Sequence, residues 1–201
     1  NMQIIEVNGL RKVYTTRFGG ASVEALKNIN FSVEDGEYVA IMGESGSGKT
    51  TLLNILAGLD KPTSGQVLLN GKDLSSIREA DRAAFRRDHL GFVFQEFNLL
   101  DTFSVEDNIL LPLVLAGVPQ KELGARLEPI AARLGIGALL KKYPYEISGG
   151  QTQRAAVARA IITNPNLLLA DEPTGALDSK ATDELLRVFS DLNASGQTIL
   201  M

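Results

Sequence analysis

The chain has no cysteine and a single histidine, His89. The first absence excludes disulfide scaffolds, thiolate zinc sites and cysteine nucleophiles together. The second excludes any metal site built from several imidazoles. A basic excess is also missing. Twenty Lys and Arg stand against 24 Asp and Glu, a net charge of −4, whereas nucleic-acid binders carry a basic footprint. No long hydrophobic run is present either. The longest, Ile109 to Val118, is interrupted by Pro112 and Gly117 and falls far short of the roughly 20 residues that a spanning helix needs. Asn1-Met2-Gln3 shows no basic stretch followed by an apolar one, so no secretory signal is read there. Asn1 before Met2 reads as an expression scar. The chain stops inside the apolar run Thr198-Ile199-Leu200-Met201, which leads us to expect a natural protein that continues beyond it.

What is present is enough sequence, 201 residues, for one sizeable domain with a substantial core. Ile4–Val7 and Ile29–Val33 read as strands, the latter by period-two alternation. Tyr38–Met42 and Leu167–Ala170 are short continuous apolar runs, expected of strands buried on both faces. Val67–Leu69 before Asn70-Gly71 reads as a hairpin strand and tight turn. Helices are expected over about 49–57, after a capping box Ser76-x-x-Glu79, from Ser104 onward, over about 120–142, and over 150–163. Leu185, Leu186, Phe189 and Leu192 mark the apolar face of another helix. Strands and helices alternate in the first and last thirds, while about 75–150 is mostly helical. The pattern predicts an α/β core with an inserted helical subdomain.

Gly43-Glu44-Ser45-Gly46-Ser47-Gly48-Lys49-Thr50 fits G-x-x-x-x-G-K-[ST] between a buried strand and a helix. Glycines allow the backbone to wrap phosphate oxygens with N–H groups pointing inward, at the positive end of the helix that follows. Lys49 would reach the β- and γ-phosphates, the Thr50 hydroxyl would ligate Mg²⁺, and Thr51 can add a phosphate contact. The strand Leu167–Ala170 ends in Asp171-Glu172. In a phosphate-loop enzyme Asp171 belongs at Mg²⁺, and Glu172 is placed to orient and deprotonate the attacking water. Ser148, Gly149 and Gly150, followed by Gln151, open a helix and offer a hydroxyl and bare N–H groups. They form a second anion site about 100 residues along the chain from the first.

Ile147-Ser148-Gly149-Gly150-Gln151, taken with the phosphate loop and Asp171-Glu172, resembles the signature of ATP-binding cassette (ABC) ATPases over essentially the whole chain. Ile147 replaces the more usual Leu, and Thr152 stands where Gln or Glu is more common. The resemblance implies a phosphate-loop NTPase core of the ABC type with a β-rich N-terminal part and an inserted helical subdomain. It divides the single domain into 1–95, 96–160 and 161–201. It also implies that Tyr14, 29 residues before Gly43, stacks on adenine, and that Gln95 senses Mg²⁺ and the attacking water. Asp178 in Pro173-Thr174-Gly175-Ala176-Leu177-Asp178 would contact the second copy across the nucleotide, and can also cap the next helix.

By the same resemblance, two copies close head to tail on ATP and Mg²⁺, with each nucleotide held by Lys49 of one and Ser148 of the other. The subunit would sit on the cytoplasmic face of the membrane and drive a separate permease, docking through the groove near Gln95–Asp101. The family's switch histidine falls after Met201 and His89 cannot replace it, so the chain as given is expected to hydrolyse ATP poorly. An unrelated phosphate-loop kinase would not need Ser148–Gln151. A soluble ABC ATPase of repair or translation is the alternative, but neither a long coiled-coil insertion nor a second cassette is visible. Ala57–Gly65, Phe92–Gln95 through Asn98–Leu100, and Asp171–Asp178 resemble the lipoprotein-release, macrolide-efflux and bacitracin-resistance subgroup. Within it the antimicrobial-peptide-resistance branch is favoured.

Overall fold

The computed structural model describes residues 2–16, 18–42, 48–93, 99–171 and 178–201. It contains two four-stranded sheets. The first is antiparallel. Strand β1 (Gln3–Thr15) lies between β2 (Ser22–Glu34) and β4 (Ser64–Leu69), and β5 (Lys72–Asp73) closes the edge. The expected Asn70-Gly71 turn joins β4 to β5, with φ of 51° and 80° at its two residues. Positive φ at both central positions is the type I′ geometry that matches strand twist.

The second sheet is parallel, in the order β3 (Tyr38–Val39), β8 (Thr198–Leu200), β7 (Leu167–Ala170), β6 (Leu90–Val93). All four β7 residues are fully buried, as their unbroken apolar run predicts. Alternate residues of this sheet feed two cores. Leu168, Ala170, Ile199 and Val93 face α3 (Val105–Leu115), α4 (Gln120–Leu134), α5 (Gly149–Ile161) and α6 (Ser179–Ala194). Leu167, Leu169, Leu200 and Leu90 face α1 (Lys49–Leu56) and the antiparallel sheet. Helix α5 comes close to β6 because position 91 is glycine. A Cβ there would stand 2.3 Å from the Ala160 carbonyl oxygen.

Four sequence expectations are corrected. The run Tyr38–Met42 is not a strand buried on both faces. Among the described residues the strand proper is Tyr38 and Val39, both half-buried and paired with β8, and Ile41 N adds one further bond to Met201 O at 2.7 Å. Ser76 and Glu79 do not form a capping box. The Asp73 carboxylate accepts from Ser75 N to cap a 3₁₀ turn, and the Ser76 hydroxyl donates to the Asp73 carbonyl at 2.6 Å, so α2 (Glu79–His89) starts without a side-chain cap. The helix from Gln120 stops at Leu134 rather than near 142, because Gly135 takes a left-handed conformation, φ 68°. Leu186 is 38% exposed while Leu185, Phe189 and Leu192 are buried.

Candidate nucleotide site

Helix α1 begins at Gly48, whose φ of 93° only glycine adopts without strain and whose missing Cβ would lie 2.5 Å from the Ala25 carbonyl oxygen. The first helical hydrogen bond runs from Leu52 N to Gly48 O, 2.9 Å. The N–H groups of Thr50 and Thr51 therefore have no acceptor within the helix. Among the described residues no side chain caps this end, and its first turn carries no acid. Such donors at the positive pole of a helix suit an anion. Thr50 is exposed, and Lys49 and Thr51 are half-buried. The preceding Gly43, Ser45, Gly46 and Ser47 lie outside the described residues.

Tyr14 is tied to this helix. It sits near the end of β1, 43% exposed, and its hydroxyl donates to Asp60 Oδ2 at 2.7 Å. Against the larger push from Asp60, the Thr51 side chain of α1 lies close enough to lower the Tyr14 pKa slightly. Lys12 Nζ holds the other Asp60 oxygen at 3.1 Å, reaches the Lys61 carbonyl at 2.6 Å and lies 5.0 Å from the Tyr14 ring centroid. The bond to Asp60 and partial desolvation hold the Tyr14 phenol above its ordinary pKa. Burial pushes the Asp60 carboxyl up. The hydrogen bonds from Tyr14, Lys12 and Lys61 N–H outweigh that push and hold it below the usual carboxylate value. Neither Asp60 nor Lys12 was singled out from sequence.

Asp171 follows β7 directly. Its N–H donates to Val93 O at 2.9 Å, which fixes it at the C-terminal edge of the parallel sheet, where open α/β sheets place their ligands. Gln95 and Glu172 lie outside the described residues. Among the described residues no three His, Cys, Asp or Glu side chains form a cage for a metal ion. The Thr50 hydroxyl and the Asp171 carboxylate are hard oxygen donors, few in number. They suit Mg²⁺, which keeps several waters and shares phosphate oxygens rather than entering an all-protein cage.

The segment expected as a second anion site is built as a helix cap. Gln151 N donates to Ser148 Oγ at 3.2 Å, and Ser148 N donates to Gln151 Oε1 at 2.9 Å. A hydroxyl that accepts one bond can still donate its own proton. Asp178 caps α6 in the same way, accepting from Ala181 N at 2.8 Å. Both helix starts open on one cleft of about 500 Å³ that includes Ser148–Gln151, Asp178 and Lys180 but not Tyr14, Lys49 or Thr50. His89 is remote in role. Its Nδ1 meets Asn166 Oδ1 at 2.9 Å and its ring lies 4.5 Å from that of Phe85.

Residues 26–175 match the family model described as ABC transporter. The chain belongs to the ABC transporter family. This ABC domain is 52% identical over 190 residues to the ABC transporter ATP-binding protein YxdL of Bacillus subtilis, covering 94% of this chain and 73% of that one. It is 49% identical over 192 residues to the bacitracin export ATP-binding protein BceA of Halalkalibacterium halodurans, covering 96% and 75%. Among solved structures, the dimeric post-hydrolysis state of the ATP-binding cassette MJ0796 bound to ADP and Pi superposes with a TM-score of 0.87. It is 37% identical, over 98% of this chain and 86% of that one.

Proposed function

We propose that this ABC domain is the ATP-hydrolysing subunit of an exporter of the bacitracin type and works as a head-to-tail pair. The observation that carries the pairing is the separation of its two anion-binding helix starts. The cleft at Ser148–Gln151 includes neither Lys49 nor Thr50, so in this reading one nucleotide meets both helix starts only when two copies face each other. The identity to BceA supports the exporter class.

In this reading the first-turn N–H groups of α1 and the Lys49 ammonium bind the β- and γ-phosphates. Tyr14, held by Asp60, offers its ring to adenine. Thr50, Asp171 and Gln95 would hold Mg²⁺, which would supply neutralisation of phosphate charge. Gly43, Ser45, Gly46, Ser47 and Gly48 wrap the phosphates. Ser148, Gly149, Gly150 and Gln151 of the other copy close on the γ-phosphate, with Asp178 at the dimer seam. Glu172 takes the proton of the attacking water.

The permease is a separate chain, and the subunit lies against the cytoplasmic face of the membrane. Among the described residues no helix is long and apolar enough to cross a membrane. A cleft of about 490 Å³ lies between the end of α1, α2 and α3, where Leu59, Leu111, Pro112 and Leu115 meet Arg86 and Arg87. It is the place for a permease helix. The segment 96–160 is the part that transmits closure to it.

The test is ATP-dependent association. Glu172→Gln should form a stable dimer with ATP, and Lys49→Ala in the same background should remain monomeric. A Glu172→Gln protein that turns over ATP like the parent, or stays monomeric at saturating ATP, overturns the reading.

A further inference from the structure

Helix α2 buries none of its residues fully. Arg82, Phe85 and Arg86 recur at spacings of three and four, so they share one face of it. That face does not close on the rest of the fold. With the end of α1, the segment 57–65, β4 and the 3₁₀ turn Leu74–Ser76 it encloses a cavity of about 300 Å³. Leu56, Val67 and Ile77 are buried around the cavity, and Leu74 and Phe85 are half-buried. The volume is at the small end of the range for small-molecule sites. An apolar hollow holds water poorly and takes an apolar guest.

The polar part of the lining carries three cations, Lys61, Arg82 and Arg86, and two carboxylates, Asp60 and Asp73. Both carboxylates are engaged. Asp60 accepts from Tyr14, Lys12 and Lys61 N, and Asp73 accepts from Ser75 N, Ser75 Oγ and Gln66 Nε2. The cations are not matched in return. Arg86 donates once, from Nη1 to Gly58 O at 3.3 Å, and its stem lies over Gly58, where an added Cβ would stand 3.7 Å from its Cδ. Among the described residues neither the Arg82 guanidinium nor the Lys61 ammonium has a hydrogen-bond or ion-pair partner. Arg82 and Arg86 are half-buried. Guanidinium groups drawn partly out of water beside an apolar hollow, with donors to spare, select a carboxylate.

We propose that this cavity binds a small amphipathic monoanion, a carboxylate on a single apolar chain of the medium-chain fatty-acid class. The carboxylate lies on Arg82 and Arg86, and the chain lies against Leu56, Val67 and Phe85. The hollow is too small for a two-chain phospholipid, so the guest is a free molecule. The cavity includes neither Tyr14, Lys49 nor Thr50, and the proposal does not rest on the head-to-tail reading.

The experiment measures binding of decanoate, kept below its micellar concentration, by calorimetry and by thermal midpoint. Decanol, decylammonium and vesicles of phosphatidylglycerol are the comparisons. Expected are saturable one-site binding of decanoate that raises the midpoint, and binding of decanol and decylammonium that is weaker by about tenfold or more. Arg82→Gln should weaken decanoate by about tenfold, the scale of one charge-assisted hydrogen bond, with ATP affinity within about twofold of the parent. Leu74→Phe, which fills the hollow, should weaken decanoate and decanol alike. Decanoate that binds no tighter than decanol, or that binds both variants as well as the parent, overturns the proposal. So does association with the vesicles alone. If Arg82→Gln fails to fold, Leu74→Phe carries the test, and undiminished decanoate binding to it overturns the site.

Discussion

The Tyr14 hydroxyl donates to Asp60 Oδ2 at 2.7 Å, a bond across 46 residues of sequence that fixes the exposed ring beside α1. The ring is anchored from its edge and the Lys12 ammonium lies over one face, which leaves the other face for stacking. Asp60→Ala removes that anchor and the partner of Lys12 while leaving every phosphate-binding residue in place. ATP affinity should fall by up to about tenfold with kcat little changed. Equilibrium binding with ATP and with inorganic triphosphate checks this, since triphosphate binding should not move.

The same pair predicts two pH effects. The Tyr14 phenol is raised, so its stabilisation is complete below about pH 10 and is lost as pH rises through the shifted value. The Asp60 carboxyl is lowered, so its contribution is complete above about pH 4 and is lost as pH falls through the shifted value. Tyrosinate absorbance of the parent minus that of Tyr14→Phe should titrate above the ordinary tyrosine range. In an Asp60→Asn background it should move back down.

Gly48→Ala should cost about 2 kcal/mol or more, because it meets both a positive φ and a backbone oxygen 2.5 Å from the new carbon. Gly36→Ala shares the positive φ, 87°, but meets nothing within 4 Å. It should cost about 1 kcal/mol, the conformational part alone. Urea midpoints of the two variants separate the two contributions, and equal losses would refute the close contact with Ala25.

Ser104 and Ser148 are matched N-caps, accepting from Asp107 N at 3.1 Å and Gln151 N at 3.2 Å. Replacing either with Ala should cost about 1 kcal/mol of stability. Only Ser148→Ala should also abolish ATP-driven assembly in the Glu172→Gln background. If Ser104→Ala abolishes it equally, Ser148 acts as a cap and nothing more.

Asn108→Leu should destabilise the chain by about 2 kcal/mol or more, since Leu100 N and the carbonyls of Leu100, Phe103 and Ser104 lose their partner together. The loss should appear locally in hydrogen exchange, as reduced protection of the Leu100 amide.

Local signals carried far in the sequence. Leu167–Ala170 declared a doubly buried strand, Asn70-Gly71 a tight turn, and Ser104, Ser148 and Asp178 their helix starts. Each depends only on neighbours within a few residues. Asp60 and Lys12 escaped notice because their partners lie 46 and 48 residues away and no spacing rule connects them. Ser76 misled for a different reason. It carries the right residue for a cap, but Asp73 lies three residues earlier and its carbonyl takes the hydroxyl first. Gln153 gives no sign in the sequence of being buried without partners among the described residues. That fact exists only once α5 is laid against β6.

Strand β1 divides its labour along its length. Ile4, Ile5, Val7 and Leu10 are buried in the core, whereas Lys12 and Tyr14 sit beyond them near the nucleotide helix. Its pairing with β2 shifts register between Val7 and Leu10, between Leu10 and Lys12 and between Lys12 and Val13, where the two halves meet. Those irregularities absorb slack, so the outer hairpin can lengthen, shorten or turn without dragging the inner half out of alignment. The end that carries Tyr14, the residue proposed to stack on the base, is thereby left open to adaptation, and on that reading nucleotide preference can drift in evolution or be re-engineered while the folded body stays as it is.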